Sequence, residues 1–123
     1  VATACGLATL REIAKPSFWD ALSARTQSLV DGLKGAAASA GVPFSADCQG
    51  GMFGFFLLPE LAQNYAQVMK SDSPKFNKLF HGLLDGGVYI APALYEAGFV
   101  SAAHTEADVA ETVRVAGEVF KSL

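Results

Sequence analysis

The sequence predicts an α+β domain in which helices pack on a small, mostly antiparallel sheet. Apolar residues recur at helical spacing in five separate segments, and a period-two pattern follows the second of them. The 123 residues suffice for one domain with a single modest core. Only 17% of the residues are charged, below the fraction of about a quarter that is usual in soluble domains, and 51% are hydrophobic. We therefore expect some apolar surface to contact a partner or another part of the same protein.

Two helices are predicted at the start of the chain. The first ends before Pro16, because a residue that precedes proline avoids the helical region. Ser17 is predicted to cap the second helix, with Asp20 completing a capping box, and Gly41 is predicted to end it. The apolar residues of the two helices are Leu7, Leu10, Ile13 and Ala14, and then Leu22, Leu29, Leu33, Ala36 and Ala40.

A β-hairpin is predicted next. Apolar and other residues alternate from Val42 to Gln49, with Phe44, Ala46 and Cys48 on the inner side. Gly50-Gly51 supplies a tight turn, and residues 52–58 form a second, more buried strand. A short helix then follows, whose predicted inner face is Leu61, Tyr65, Val68 and Met69.

Two longer helices complete the prediction. Ser73-Pro74 opens the first, because the fixed φ of proline suits a first helical turn, and Gly86-Gly87 ends it. Thr105 and Asp108 cap the last helix. Short strands are predicted between them at residues 88–91 and 99–102. The inward residues of the two helices are Phe76, Leu79, Phe80, Leu83 and Leu84, and then Val109, Val113, Ala116 and Phe120.

Charge and hydropathy exclude two kinds of partner. The net charge of −3 argues against nucleic acid, which requires clustered lysine and arginine. Lys70, Lys75 and Lys78 are the densest basic group, and Asp72 lies among them, so we interpret them as a solvated face. The longest apolar stretch, residues 55–58, is far too short to span a bilayer, and no signal peptide opens the chain.

The beginning of the chain, Val1-Ala-Thr-Ala-Cys5, has no initiator methionine and no capping residue ahead of the helical pattern. Small residues dominate it, as they do where a helix presses against another surface. We therefore expect residues 1–123 to be one domain and a fragment of a larger protein, beginning within or near a helix.

Most residues with reactive side chains receive a structural interpretation. His81 is predicted to be exposed and near Asp85 at i,i+4, and His104 to orient the loop before Thr105. Cys5 and Cys48 match no metal or redox spacing and are interpreted as small buried thiols. The glycines after Asp47 suit a hairpin turn better than a phosphate cradle, and no metal site is predicted.

A Schiff-base lysine must be desolvated or lie near other cations. Every lysine of the chain is predicted at a helix end, in a loop or on a polar helix face: Lys15, Lys34, Lys70, Lys75, Lys78 and Lys121. The sequence therefore predicts no catalytic lysine in this chain.

Glu96 stands apart from these residues. It lies in an apolar, glycine-containing loop between Tyr95 and Phe99, with no basic neighbour in sequence. A carboxylate is costly to desolvate without a partner, and loops carry many functional groups. Spacing alone leaves two interpretations open, a solvent-exposed loop acid and a functional carboxylate.

Several stretches resemble one enzyme family, and the likeness covers nearly the whole chain. They occur in order and at suitable separations, and the pairing of the last two is the most specific. They are Gly50-Gly-Met-Phe-Gly54, Phe76 to His81, Asp85-Gly-Gly-Val-Tyr-Ile-Ala-Pro92, and Tyr95-Glu-Ala-Gly-Phe-Val-Ser101 with Ala103-His-Thr105. The chain thereby resembles the glutamate-1-semialdehyde 2,1-aminomutase family.

The resemblance implies the C-terminal small domain of a fold-type-I, class III aminotransferase-like enzyme that works as a homodimer. Such an enzyme converts glutamate-1-semialdehyde to 5-aminolevulinate, a tetrapyrrole and porphyrin precursor. Its cofactor, pyridoxal phosphate or pyridoxamine phosphate, is bound mainly by a large domain outside this chain. This chain alone is then expected to be inactive. The implied location is the cytoplasm, or the plastid stroma in a plant or alga.

The family's Glu-Ala-Gly-Phe motif falls on Glu96, which the resemblance implies helps to position the substrate. Many relatives that bind an α-carboxylate place an arginine in this domain. Here Arg11, Arg25 and Arg114 all fall on predicted helices, and the loop offers a carboxylate instead. A carboxylate favours a cationic amine and disfavours an incoming carboxylate.

Two other functions remain open. One is an ω-amino-acid aminotransferase with the same domain, which would exchange amino groups with a second substrate. The other is a stand-alone α+β module for binding or oligomerisation, since fold alone does not set function.

Overall fold

The structure, a computed structural model, describes all residues from Val1 to Leu123. It contains five helices and one antiparallel sheet in the order β1-β2-β3, so the predicted α+β class is confirmed. The helices are α1 (Ala2–Ile13), α2 (Phe18–Ser39), α3 (Tyr65–Val68), α4 (Ser73–Asp85) and α5 (Glu106–Phe120), and the strands are β1 (Ser45–Gln49), β2 (Met52–Phe56) and β3 (Gly98–Phe99).

The core lies between α2, α4, α5 and one face of the sheet. The most extensive helix contact joins α2 and α5, and α4 packs on the other side of α5. Close approach depends on glycine: a Cβ on Gly32 of α2 would lie 2.5 Å from Val113 Cγ2 of α5, and one on Gly82 of α4 would lie 2.7 Å from Val119 Cγ1. The buried core side chains include Leu22, Leu29, Leu33, Leu79, Leu83, Val109, Val115, Ala116 and Phe120.

Helix α1 is the exception, because it has no buried residue. Leu7 and Leu10 are 48% and 60% exposed, and Trp19 at the start of α2 is 54% exposed. Apolar surface of this kind agrees with the expected contact to another part of the protein, which stays a prediction. None of the five helices is long and apolar enough to cross a membrane.

The predicted β-hairpin is confirmed, but its second strand ends at Phe56 and is not the more buried one, since no residue of β2 is buried whereas two residues of β1 are. Gly50 adopts a φ of 58° in the turn, and Gln49 pairs with Met52 across it. Ala46 is buried as predicted, but Ser45, predicted on the outer side, is also buried and its hydroxyl has no hydrogen-bond partner. Ser45 lies where the chain passes from α2 into the sheet, and β1 packs against α2 as well as pairing with β2.

Three helix ends follow the sequence prediction closely. Gly41 has a φ of 70° and lets Val42 N donate to Ala37 O at 3.0 Å, which closes α2. Helix α4 begins at Ser73, although its N-cap is Asp72, whose side chain accepts from Lys75 N. Helix α5 begins with the predicted capping box of Thr105 and Asp108.

The predicted capping box at Ser17 is wrong. Ser17 has a left-handed φ of 63°, and its hydroxyl donates to Pro16 O at 2.6 Å instead of accepting from the helix. A capping side chain reaches the first helical amides from an extended backbone, which the tight connection after Pro16 does not allow.

The inner face predicted for the short helix is also wrong. Helix α3 is a single turn, and Tyr65 and Met69 are 70% and 53% exposed. Both residues instead contact Tyr95 of a later loop. A turn this short is placed by its neighbours and not by its own apolar period.

The strand predicted at residues 88–91 does not form. Val88 N donates to Leu83 O at 2.8 Å and thereby completes the end of α4, so this amide does not join the sheet. Val88 and Ile90 are apolar because they pack against the core. The strand predicted at residues 99–102 exists, shifted to Gly98–Phe99.

The stabilisation from the α5 capping box is expected to disappear in acid. The pKa of Asp108 lies below its ordinary value of 3.8, because Thr105 N–H and then the Thr105 hydroxyl donate to its carboxylate. The folded protein therefore binds this proton less tightly than the unfolded chain does. The contribution is present above the ordinary pKa and is lost as the pH falls through the lowered one.

Hydrogen exchange of the first-turn amides of α5, from neutral pH to about pH 3, checks this in the wild type and in Asp108→Asn. We expect faster exchange in the variant than in the wild type at neutral pH. This difference in exchange rate should narrow as the pH falls below the ordinary pKa of 3.8 toward the lowered pKa of the folded protein. A difference that is constant across this range would contradict the assignment.

Candidate functional site

Glu96 lies on the connection that leads from α4 into β3. Its backbone N–H donates to Ala93 O at 3.3 Å in a turn that follows Pro92. Its side chain is exposed, and its carboxylate makes no hydrogen bond or ion pair within the chain. This carboxylate is therefore free to meet a group from outside the 123 residues.

An apolar cleft lies beside this carboxylate. Two of its aromatic side chains, Phe55 and Phe76, stack with ring centroids 6.3 Å apart. Glu96 is the one charged residue of the lining, which otherwise comprises Phe53, Phe55, Phe76, Ile90, Ala91, Ala93, Leu94 and Gly98. A single carboxylate beside apolar surface favours a ligand that is cationic at one point.

Contacts on both sides hold the loop that carries Glu96. On one side, Tyr95 Oη donates to Met69 Sδ at 3.3 Å, and the Tyr95 ring lies 6.1 Å from that of Tyr65. On the other side, Gly98 pairs with Phe53 across the β2–β3 ladder. Sequence reasoning missed both contacts, although a glycine within a strand is a known signal of close approach.

The lysines are placed as predicted. Lys75 is half-buried and the other five are exposed, and Lys121 Nζ pairs with Glu118 at 3.1 Å. A lysine that forms a Schiff base is typically desolvated, and none of these six is buried. The residues present therefore do not fit the covalent attachment of pyridoxal phosphate.

The two histidines differ in their contacts within the chain. His104 Nδ1 accepts from Ser101 N at 2.9 Å, so His104 orients its loop as predicted. His81 is exposed as predicted, but no hydrogen bond or ion pair joins it to Asp85. Its ring instead packs edge-on against Phe80, with centroids 5.2 Å apart.

The prediction of two buried thiols is wrong for Cys5, which is exposed because α1 has no covering element. Cys48 is half-buried, and its Sγ donates to Gln27 Oε1 at 3.4 Å. Burial, and then the nearby carboxylates of Asp47 and Asp31, raise the pKa of the Cys48 thiol. A raised pKa disfavours the thiolate, so Cys48 is not an activated nucleophile.

The arginines lie on helices, as predicted. Arg11 is on α1, Arg25 on α2 and Arg114 on α5. The Arg114 guanidinium donates to both carboxylate oxygens of Glu111, at 2.8 and 2.7 Å. Since none of these residues belongs to the cleft beside Glu96, the loop presents negative charge alone.

The fold matches parts of two larger solved structures. An omega-transaminase from Sphaerobacter thermophilus superposes with a TM-score of 0.77 at 21% identity, over 94% of this chain and 26% of that chain. A structure described as the internal aldimine form, with pyridoxal phosphate, of the FumI protein of Sphingopyxis sp. MTA144 gives a TM-score of 0.71 at 28% identity, over 94% of this chain and 25% of that one. The fold of this chain is thus an α+β fold that also forms about a quarter of each of these two chains.

The sequence comparison points to one enzyme family, whereas the superpositions show only the fold. The chain is 75% identical to the glutamate-1-semialdehyde 2,1-aminomutase of Acidovorax ebreus (strain TPSY) and 71% identical to that of Verminephrobacter eiseniae (strain EF01-2), each over all 123 residues. It spans 28% of the length of either relative. No protein-family model matches the chain. The resemblance to the glutamate-1-semialdehyde 2,1-aminomutase family is confirmed, and it extends over the whole chain.

Proposed function

We propose that residues 1–123 are the C-terminal small domain of a glutamate-1-semialdehyde 2,1-aminomutase. The whole enzyme, an isomerase, would convert glutamate-1-semialdehyde to 5-aminolevulinate for tetrapyrrole synthesis. The observation that carries this proposal is 75% identity over every residue of the chain to a protein of that name. The stretch from Tyr95 to Ser101, which contains the free carboxylate, is part of the family resemblance.

Glu96 is the residue that this chain contributes to the substrate site. Its carboxylate has no partner within the chain and lies beside an apolar cleft. The proposed substrate carries its amino group first at one position and then at another. As a cation, this amino group forms a charge-assisted hydrogen bond with the Glu96 carboxylate, and the bond orients the substrate. The same charge repels a misplaced substrate carboxylate, which favours one orientation of the substrate over the other.

The rest of the polypeptide supplies what this chain lacks. Pyridoxal phosphate provides the amino-group chemistry when bound, and its anchoring lysine lies outside residues 1–123, since no lysine here is buried. The exposed apolar face of α1 suits contact with that larger part. We further propose a homodimer that acts in the cytoplasm, and no turnover by this chain alone.

Replacement of Glu96 by glutamine in the full-length enzyme tests the assignment. We expect kcat/KM for glutamate-1-semialdehyde to fall about tenfold to a hundredfold, because a hydrogen bond to a charged group contributes about 1.5–3 kcal/mol. Steady-state kinetics with the pyridoxamine form of the enzyme measure it. Glu60→Gln is the matched control, since Glu60 is also an exposed loop acid outside the cleft. If turnover and affinity stay at the wild-type level in Glu96→Gln, Glu96 does not bind the substrate.

An ω-amino-acid aminotransferase is the second candidate, favoured by the superposition on an omega-transaminase. At 21% identity that superposition supports the fold, whereas identities above 70% support the mutase. The two enzymes differ in stoichiometry. An aminotransferase requires an added amino acceptor for each turnover, and a mutase completes its reaction with one substrate. Omission of the acceptor from the assay therefore distinguishes them.

A stand-alone binding module is the third candidate. The mass of the native gene product, before and after borohydride reduction with pyridoxal phosphate, tests it. We expect a protein several times heavier than this chain that gains one cofactor on a lysine outside it. A native mass near 12.8 kDa without an adduct would favour the module.

A further inference from the structure

We propose that Phe53 and Gly98 form a positioning contact that fixes where Glu96 stands, an inference that rests on the proposed substrate contact of Glu96. Phe53 lies on β2 and Gly98 on β3, and the two residues are Cα partners across the antiparallel ladder. Both residues also line the cleft beside Glu96, and the role proposed here does not depend on their contact with the substrate. Their role is to fix Gly98, the first residue of β3, which only Ala97 separates from Glu96.

The contact between the two residues is closer than any side chain at position 98 permits. A Cβ on Gly98 would lie 2.2 Å from Cζ of Phe53, 2.4 Å from Cε1 and 2.8 Å from Cε2. The outer end of the Phe53 ring therefore lies directly against the Gly98 backbone. A glycine in a strand interior marks such close approach, and a ring placed over it shields the backbone hydrogen bonds.

The two sides of this contact are unequal in stiffness. Phe53 lies on the central strand, and its ring packs against the buried core. Gly98 lies on an edge strand of two residues, which Val100 N extends by donating to Gly51 O at 2.8 Å. A group added to Gly98 therefore displaces the edge strand and its loop more readily than the ring.

Glu96 lies between this contact and a second one. Tyr95, its neighbour, is held by Met69 Sδ at 3.3 Å and by the ring of Tyr65. Only Glu96 and Ala97 separate Tyr95 from Gly98. With both ends held, the backbone of Glu96 has little freedom, although its side chain is exposed and unpaired. This arrangement fixes the position of Glu96 and leaves its carboxylate without an ion-pair partner in the chain.

Gly98→Ala in the full-length enzyme is the first test. A shift of about 1 Å in a positioning group can reduce turnover about a hundredfold, so we expect kcat/KM to fall by about tenfold or more. Amide hydrogen exchange of residues 93–101 should become faster in the same variant. Gly117→Ala is the matched control, because a Cβ there meets only Ala36 Cβ at an ordinary 3.8 Å.

Phe53→Leu supplies both the rescue and a second variant. Leucine lacks the three outer ring atoms that a Cβ on Gly98 would meet. We therefore expect Phe53→Leu to restore kcat/KM and hydrogen exchange toward the wild type in the Gly98→Ala background. In the wild-type background it leaves Gly98 uncovered, so we expect it to lower kcat/KM. If Gly98→Ala does not fold, Phe53→Leu decides the outcome through two readouts together, a lower kcat/KM and faster hydrogen exchange of residues 93–101, because Phe53 itself lines the cleft.

The double variant Gly98→Ala/Glu96→Gln separates this proposal from the proposed function. If Gly98 acts through Glu96, the double variant is no slower than the slower single variant, and both singles change KM and kcat in the same proportion. Losses that multiply, or wild-type kinetics in Gly98→Ala and Phe53→Leu, would overturn the positioning role alone. Wild-type kinetics in Glu96→Gln would instead overturn the substrate contact itself.

Discussion

Phe120→Ala is expected to reduce the free energy of unfolding of this domain by about 3–5 kcal/mol. Phe120 is 2% exposed at the end of α5, and its ring packs edge-on against Phe44, with centroids 5.4 Å apart. Truncation removes apolar contact and leaves a cavity between α5 and the chain that enters β1. Hydrogen exchange of α2 and α5 amides in the full-length protein, over a series of denaturant concentrations, measures the loss.

Phe120→Leu is the graded control for this prediction. Leucine keeps most of the apolar volume and loses the outer part of the ring, so its cost is expected to be clearly smaller than that of alanine. A free energy of unfolding that decreases from the wild type to Phe120→Leu to Phe120→Ala indicates a cavity that does not collapse. Equal exchange protection in Phe120→Ala and the wild type would show that the end of α5 does not belong to the core.

Features fixed by residues close together in sequence were predictable. The Thr105–Asp108 capping box and the Gly41 helix end each depend on a few consecutive residues, and both are confirmed. The apolar faces of α2, α4 and α5 were equally predictable, because the apolar period of each helix indicates which side is buried. Leu84 shows the limit of this argument: it extends the stripe of α4 but is 43% exposed at the rim of the contact.

Features set by distant contacts were not predictable. Val88 and Ile90 have the composition of a strand, yet the end of α4 uses the Val88 amide and β3 pairs with β2 instead. Tyr65 and Met69 follow a helical period, yet their partner is Tyr95, which lies 30 and 26 residues later in the chain, respectively. In each case a tertiary partner decides the structure, and the local pattern does not contain it.

The candidate site likewise contains one feature that the sequence predicts and one that it does not. Glu96 could be singled out from the sequence, because an acid in an apolar loop without a basic neighbour is unusual and because the family motif falls on it. The contact of Phe53 with Gly98 could not, since it depends on the register between β2 and β3. A shift of one residue would place a side chain, and not a glycine, against the ring.

Gly32→Ala is expected to destabilise the domain by about 1–2 kcal/mol, although alanine favours a helix by about 1 kcal/mol over glycine. Gly32 lies where α2 crosses α5, and a Cβ there would lie 2.5 Å from Cγ2 and 3.2 Å from Cγ1 of Val113. Valine on a helix has one strongly preferred rotamer and cannot swing aside, so the two helices must separate. Hydrogen exchange of the α2 and α5 amides measures the change.

Gly35→Ala on the same helix is the matched control. A Cβ there has no neighbour within 4 Å, so the helix preference acts alone and the domain is expected to become more stable by up to about 1 kcal/mol. Val113→Ala removes both methyl carbons that the new Cβ would meet, so Gly32→Ala should cost less in that background than in the wild type. If Gly32→Ala and Gly35→Ala stabilise equally, α2 and α5 do not pack as closely as Gly32 permits.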